Sequence, residues 1–239
     1  DGRLVSITGI AKGSGMIKPN MATMLAFVAT DANVSVECLT DIVKYACDRT
    51  FNRITVDGDT STNDSFMLIA TGDGDKNKIN STLDSSFLVL RDEITAVCEE
   101  LAKKIVLDGE GATKFIEITV DGAASVEEAR KVGFSVANSP LVKTAFFASD
   151  PNLGRILSAV GAADVGALDV SNVRLKIGNI LVVEKGAPAL NYQESDIKPL
   201  MEADKILVNI DLARGAESAT IWTCDLSHDY VKINADYRS

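Results

Sequence analysis

A lone threonine, Thr23, stands where a glycine-bearing loop runs into an apolar stretch, in KGSGMIKPNMATMLAF (12–27). A threonine hydroxyl is a weak nucleophile until a base removes its proton. The chain holds one histidine, His228. A Ser-His-Asp triad would have to use it, and no GxSxG elbow accompanies it. A two-histidine zinc site of the HExxH kind is nearly excluded, although carboxylate-held metals are not. The base still available to Thr23 is its own α-amine, freed if the Ala22–Thr23 bond is cut. Such an amine has a pKa of about 7.7–8.0, close to what a base needs at neutral pH. The hydroxyl itself can make the cut by attacking the preceding carbonyl, an N-to-O acyl shift. Ala22 leaves that carbonyl accessible, and Gly13, Gly15 and Pro19 permit an unusual backbone upstream. On chemistry alone the plainer reading is favoured: threonine is a good strand starter.

Other polar groupings carry weaker signals. DGEGATK (108–114) sets Glu110 between two glycines, which lets the backbone approach a ligand and holds the carboxylate out. On chemistry alone an ordinary helix-to-strand turn with a solvated glutamate explains it better. DGDTSTND (57–64) looks like a calcium loop, but Thr62 and Leu68 occupy the places where an EF-hand needs Gly and Glu. Side chains bonding their own backbone in a tight turn explain it better. DPNLGR (150–155) reads first as a turn. Lys12 and Lys18 suit a carboxylate or phosphate, yet KGSGMI is no P-loop, because no G-K-[ST] follows its glycines. Cys38, Cys47, Cys98 and Cys224 form no CxxC pair and read as free, buried thiols.

The elements that must position these groups are legible in the pattern. Residues 24–30 and 65–71 are short apolar runs, expected as buried strands. Val36, Leu39, Val43 and Ala46 recur at helical spacing behind Ser35, a candidate N-cap. Ile94, Val97, Cys98, Leu101 and Ile105 mark a second helix, and Ser125 with Glu128 has capping-box spacing for a third. Gly178-Asn179 between NVRLKI and ILVVE predicts a two-residue hairpin. Ile206, Val208, Ile210 and Leu212 alternate as a half-covered strand does. Residues 186–204, with Pro188 and Pro199, are the most linker-like. The expected class is α/β (α+β), one continuous domain of mixed or antiparallel sheets with helices outside. A C-terminal subdomain from about 186 is a further expectation.

Composition bounds the function. With 239 residues, 46% of them hydrophobic, the chain can bury a substantial core. A net charge of -10 and no dense Lys/Arg cluster argue against nucleic acid. No apolar run is long enough to span a bilayer, and the first residues lack a signal-peptide layout, so a bacterial cytoplasm is expected.

KGSGMIKPNMATML, FNRITVDGDTSTND, GEGATKF, DPNLGR and INADYRS together closely resemble the glutamate N-acetyltransferase (ornithine acetyltransferase) family of arginine biosynthesis. The resemblance runs the length of the chain. It implies an N-terminal-nucleophile-type acetyltransferase fold whose sheets are sandwiched by outer helices. It implies self-cleavage between Ala22 and Thr23, giving an α piece that ends at 22 and a β piece spanning 23–239. Thr23 matches the nucleophile; Lys12, Thr23, Glu110, Asn234 and Ser239 match substrate-contact positions. The reaction implied is ping-pong transfer of acetyl from N-acetylornithine to glutamate, in an α2β2 assembly. No metal or resident cofactor is implied, although some members accept acetyl-CoA as a co-substrate. Family precursors carry a long portion before KGSGMI, with a Thr-Gly pair that supplies the oxyanion hole; that portion is absent here and is an expected partner. Ser239 replaces a common threonine and Leu153 a common tryptophan. The competing expectations are a hydrolase on the same scaffold, with water as acceptor, and a non-catalytic fragment.

Overall fold

The computed structural model describes residues 4–19, 24–74 and 77–237, which fall into two compact units divided between Ile105 and Val106.

The first unit is built on a small sheet. Strand β1 (Ile7–Lys12) pairs antiparallel with β2 (Leu25–Thr30). After β2 comes helix α1 (Val36–Arg49), capped by Ser35, whose hydroxyl accepts the Cys38 amide at 3.2 Å. A short 3-10 turn and β3 (Ile54–Thr55) lead to β4 (Ser65–Ala70), which pairs parallel with β2. Helix α2 (Ser85–Leu107) follows, its last two residues lying past the division. Ala26 and Val28 of β2 are buried with Phe66, Ile94, Cys98 and Ala102. Leu101 and Val97 of α2 fill the space a side chain at Gly9 would need, so the helix lies directly on β1. The other face of the sheet presents apolar side chains. Ile10, Phe27 and Met67 form one row across three strands, all exposed, with Ile69 beside them.

The second unit holds a larger mixed sheet. Its strands are β5 (Phe115–Ala123), β6 (Arg174–Ile177), β7 (Ile180–Glu184), β8 (Ala187–Pro188), β9 (Lys205–Asp211) and β10 (Glu217–Cys224). They run in the order β10-β5-β9-β6-β7-β8, antiparallel except for the β5–β9 pair. Gly178, with φ +59, makes the β6–β7 hairpin, because a two-residue loop needs the left-handed region there. Ile206, Val208 and Ile210 are buried as alternation predicts. Helices α3 (Val126–Ala137), α4 (Pro140–Phe147) and α5 (Leu153–Gly161) contribute Val132, Val136, Val142, Phe146 and Ile156 to its core. Ser125 caps α3 as expected, and Glu128 returns its carboxylate to the Ala124 amide at 3.1 Å.

The linker-like stretch is not a linker throughout. Residues 194–202 form α6, which buries Ile197 and Met201 one turn apart. β8, α6, β9 and β10 all follow residue 186, and their strands join the same sheet as β5. The final element is α7 (His228–Asp236).

All four cysteines are buried, and none of them forms a disulfide. Burial, aided by Cys47, pushes the Cys98 thiol up to about 12, so it stays protonated and unreactive. Among the described residues no helix is long and apolar enough to cross a membrane, and no acidic, Cys or His cluster could hold a metal ion.

Candidate functional site

Two of the predicted site residues lie side by side. Asn234 Nδ2 donates to Glu110 Oε2 at 2.9 Å, although 124 positions separate them in the chain.

Sheet register is what brings them together. Cys224, the last residue of β10, pairs with Phe115, the first of β5. The next residue along, Asp225, is therefore delivered to the turn that precedes β5. Its buried carboxylate accepts the Thr113 amide at 2.8 Å, the Lys114 amide at 2.9 Å and the Thr113 hydroxyl. Two residues on, Ser227 donates to the Gly111 carbonyl at 2.6 Å and caps α7 by accepting the Tyr230 amide. Helix α7 then passes over the turn so closely that a Cβ on Gly111 would meet the Tyr230 nitrogen at 2.5 Å. Gly111 also has φ +68, a conformation other residues resist. Asn234 is one turn beyond Tyr230 on the same helix face, and its amide also donates to the Tyr230 carbonyl at 3.0 Å. Glu110 is half-buried, and the segment 225–234 holds its side chain through Asn234 and the neighbouring Gly111 carbonyl through Ser227.

Lys114 anchors the far end of this turn. Its ammonium donates to the Phe146 carbonyl (2.8 Å), Ser149 Oγ (2.6 Å) and the Met201 carbonyl (2.6 Å). Burial holds its pKa below the ordinary lysine value, opposed by the charges of Asp225, Glu202 and Asp204. The pair left facing outward, Glu110 with Asn234, combines a carboxylate with a side-chain amide: chemistry suited to a ligand's ammonium and its neighbouring polar groups.

In the first unit, Lys12 is the exposed last residue of β1, directly opposite Leu25 in the ladder. Ala22, Thr23 and Ser239 lie outside the described residues. The chain on both sides of 20–23 is held by the DGDTSTND loop. Asp57 accepts the Met16 amide at 2.6 Å and the Ile17 amide at 3.0 Å. The Thr60 hydroxyl donates to the Lys18 carbonyl at 3.2 Å, and Asp64 accepts the Met24 amide. Met24 is pinned again where its carbonyl accepts the Ser65 amide at 2.8 Å. Met16 has φ +54, a strained value for a side chain of its size, beside the amide that Asp57 fixes.

That loop was expected to bond its own backbone. It does so in part, with Asp59 N on Asp57 at 3.2 Å, but its main partners lie some 40 residues upstream. Asp57, Asp64, Asp225 and Ser227 are thus the residues that sequence reasoning missed. The signal available for them was the density of acidic and hydroxyl groups, which does not reveal distant partners. DPNLGR resolves as a turn and cap: Asn152 Oδ1 accepts the Arg155 amide at 3.2 Å to start α5. His228 packs edge-on against Phe147 at 5.6 Å, as the first residue of α7.

Comparison with known proteins bears on this arrangement. The chain is 54% identical over 239 residues to the arginine biosynthesis bifunctional protein ArgJ of Neisseria gonorrhoeae. The match takes in all of this chain and 59% of that relative, so the chain spans less than two thirds of its length. The crystal structure of the arginine biosynthesis bifunctional protein ArgJ from Bacillus halodurans superposes with a TM-score of 0.85 at 38% identity, covering 90% of this chain and 100% of that one. The expected fold class is the one observed, with helices packed on mixed α/β sheets. The ArgJ family model matches residues 2–239, and the chain belongs to the ArgJ family.

Proposed function

We propose that this chain carries the nucleophile and substrate contacts of a glutamate N-acetyltransferase of arginine biosynthesis, which cuts itself between Ala22 and Thr23. The observation that carries the proposal is the Glu110–Asn234 pair, formed across 124 positions by a clamped turn, in a chain of the ArgJ family. The cut defines an α piece ending at Ala22 and a β piece running from Thr23 to 239.

In the reaction, Thr23 Oγ attacks the acetyl carbonyl of N-acetylornithine while the freed α-amine of Thr23 takes the hydroxyl proton. The amide C–N bond breaks, the proton passes to the departing amine, and ornithine leaves acetyl-Thr23 behind. The amine of glutamate then attacks the ester carbonyl. The ester C–O bond breaks, Thr23 regains its proton, and N-acetylglutamate departs. Lys12 holds a substrate carboxylate, Glu110 takes the ornithine ammonium, and Asn234 and Ser239 close the site. Oxyanion donors, worth typically ~10²–10³ in rate, come from a Thr-Gly pair in the α portion that precedes KGSGMI. The working form is an α2β2 assembly in the cytoplasm, with no resident cofactor and acetyl-CoA as a possible second donor.

Intact mass of the full-length polypeptide tests the cut: wild type gives two pieces, and Thr23→Ala one. A wild type that stays whole overturns the reading. Supplying N-acetylornithine with and without glutamate tests the transfer. N-acetylglutamate formation is expected, whereas acetate release indifferent to glutamate would make the enzyme a hydrolase.

A further inference from the structure

Glu110 sits between two glycines, a placement that by itself leaves both its backbone and its carboxylate poorly fixed. Asp225 supplies the missing constraint without reaching the ligand side. Its side chain is buried, with the residue only 3% exposed, and its two oxygens are taken up by Thr113 N, Thr113 Oγ1 and Lys114 N. Those groups are the end of the turn that carries Glu110, and Lys114 fixes the same end through its ammonium. The carboxylate bonds are charge-assisted, roughly twice as strong as neutral ones. Asp225 also starts the segment through Ser227 to Asn234, so one residue sets the backbone beneath Glu110 and the direction of the helix whose Asn234 grips it.

We infer that Asp225 is a positioning residue for substrate binding, acting on the ligand through Glu110. The inference rests on the proposed reading that Glu110 holds the ammonium of N-acetylornithine or ornithine.

A double-mutant cycle in the self-processed full-length enzyme tests it, with KM for N-acetylornithine, kcat and the extent of self-cleavage as readouts. Asp225→Asn keeps the shape and loses the charge; it is expected to raise KM about tenfold, with self-cleavage complete. Glu110→Gln should raise KM at least as much. In the Glu110→Gln background, adding Asp225→Asn should change KM less than twofold, because the group it positions has lost its function. Thr113→Val, which deletes one of the carboxylate's bonds and leaves the buried charge in place, should move KM in the same direction by a smaller factor. Fully multiplicative effects in the cycle overturn the inference, since Asp225 would then act elsewhere. So does an unchanged KM in both Asp225→Asn and Thr113→Val. A Glu110→Gln enzyme with wild-type KM refutes instead the reading of Glu110 on which the inference stands.

Discussion

Gly111→Ala isolates the contact that sets the height of α7 over the Glu110 turn. The added Cβ would lie 2.5 Å from the Tyr230 nitrogen, 2.8 Å from Ser227 Oγ and 3.0 Å from the Tyr230 Cα, all parts of the helix start. Ordinary contact begins at about 3.5 Å, so the helix must retreat by about 1 Å. Asn234 rides on the same rigid turns, and a retreat of that size takes its 2.9 Å bond to Glu110 beyond the range of a hydrogen bond. The alanine must also hold φ +68, which costs about 1–2 kcal/mol. The variant should therefore lose about 1–2 kcal/mol in a urea titration. Its KM for N-acetylornithine should rise about tenfold while self-cleavage proceeds, since the loosened bond is charge-assisted. An unchanged urea midpoint would show that the turn adjusts without strain. An unchanged KM would show that the spacing of α7 does not govern how Glu110 is presented, and the reasoning would fail.

Two other perturbations follow from different parts of the molecule. Glu128 accepts Arg214 through both oxygens, at 2.8 and 3.1 Å; burial pushes its carboxyl up, but the bonds from Arg214 and the Ala124 amide outweigh this and hold it below the ordinary range. A lowered folded-state pKa stabilises above the unfolded value of about 4.3 and is lost as pH falls through the folded one. Glu128→Gln should thus cost about 1–3 kcal/mol at pH 7, with the gap from wild type closing below about pH 4 in urea titrations; a pH-independent gap would refute the assignment. Asp64→Asn weakens the grip on the Met24 amide, and should slow appearance of the two pieces about tenfold in a timed mass measurement, unless fixing Met24 has no bearing on the cut.

Features whose causes are local could be read from the residues. Ser35 and Ser125 cap their helices because a hydroxyl three residues ahead of an amide needs no distant partner. The Gly178-Asn179 hairpin and the alternation from Ile206 to Leu212 follow equally from neighbours in sequence. Helix α6 was hidden by Pro199 and a polar run, although Ile197 and Met201 already stood one turn apart. The division after Ile105 falls inside the continuous pattern of α2, where no change of composition marks it. Least legible was Asp225. Its partners are 111 and 112 positions away, and only the register of β10 on β5 carries it to them. Glu110 and Asn234 were both expected among the substrate contacts through a family resemblance, and no spacing that a helix or strand dictates foretold their bond.

The exposed row of Ile10, Phe27 and Met67 ties the handling of this chain to ionic strength. At low salt the net charge of -10 keeps molecules apart. Raising the salt shortens the range of that repulsion, and a salting-out anion such as sulfate strengthens apolar contact at the same time. Both changes push the same way, toward apolar contact through these exposed side chains. Dilute, low-sulfate buffers are accordingly the conditions that least favour contact through this row.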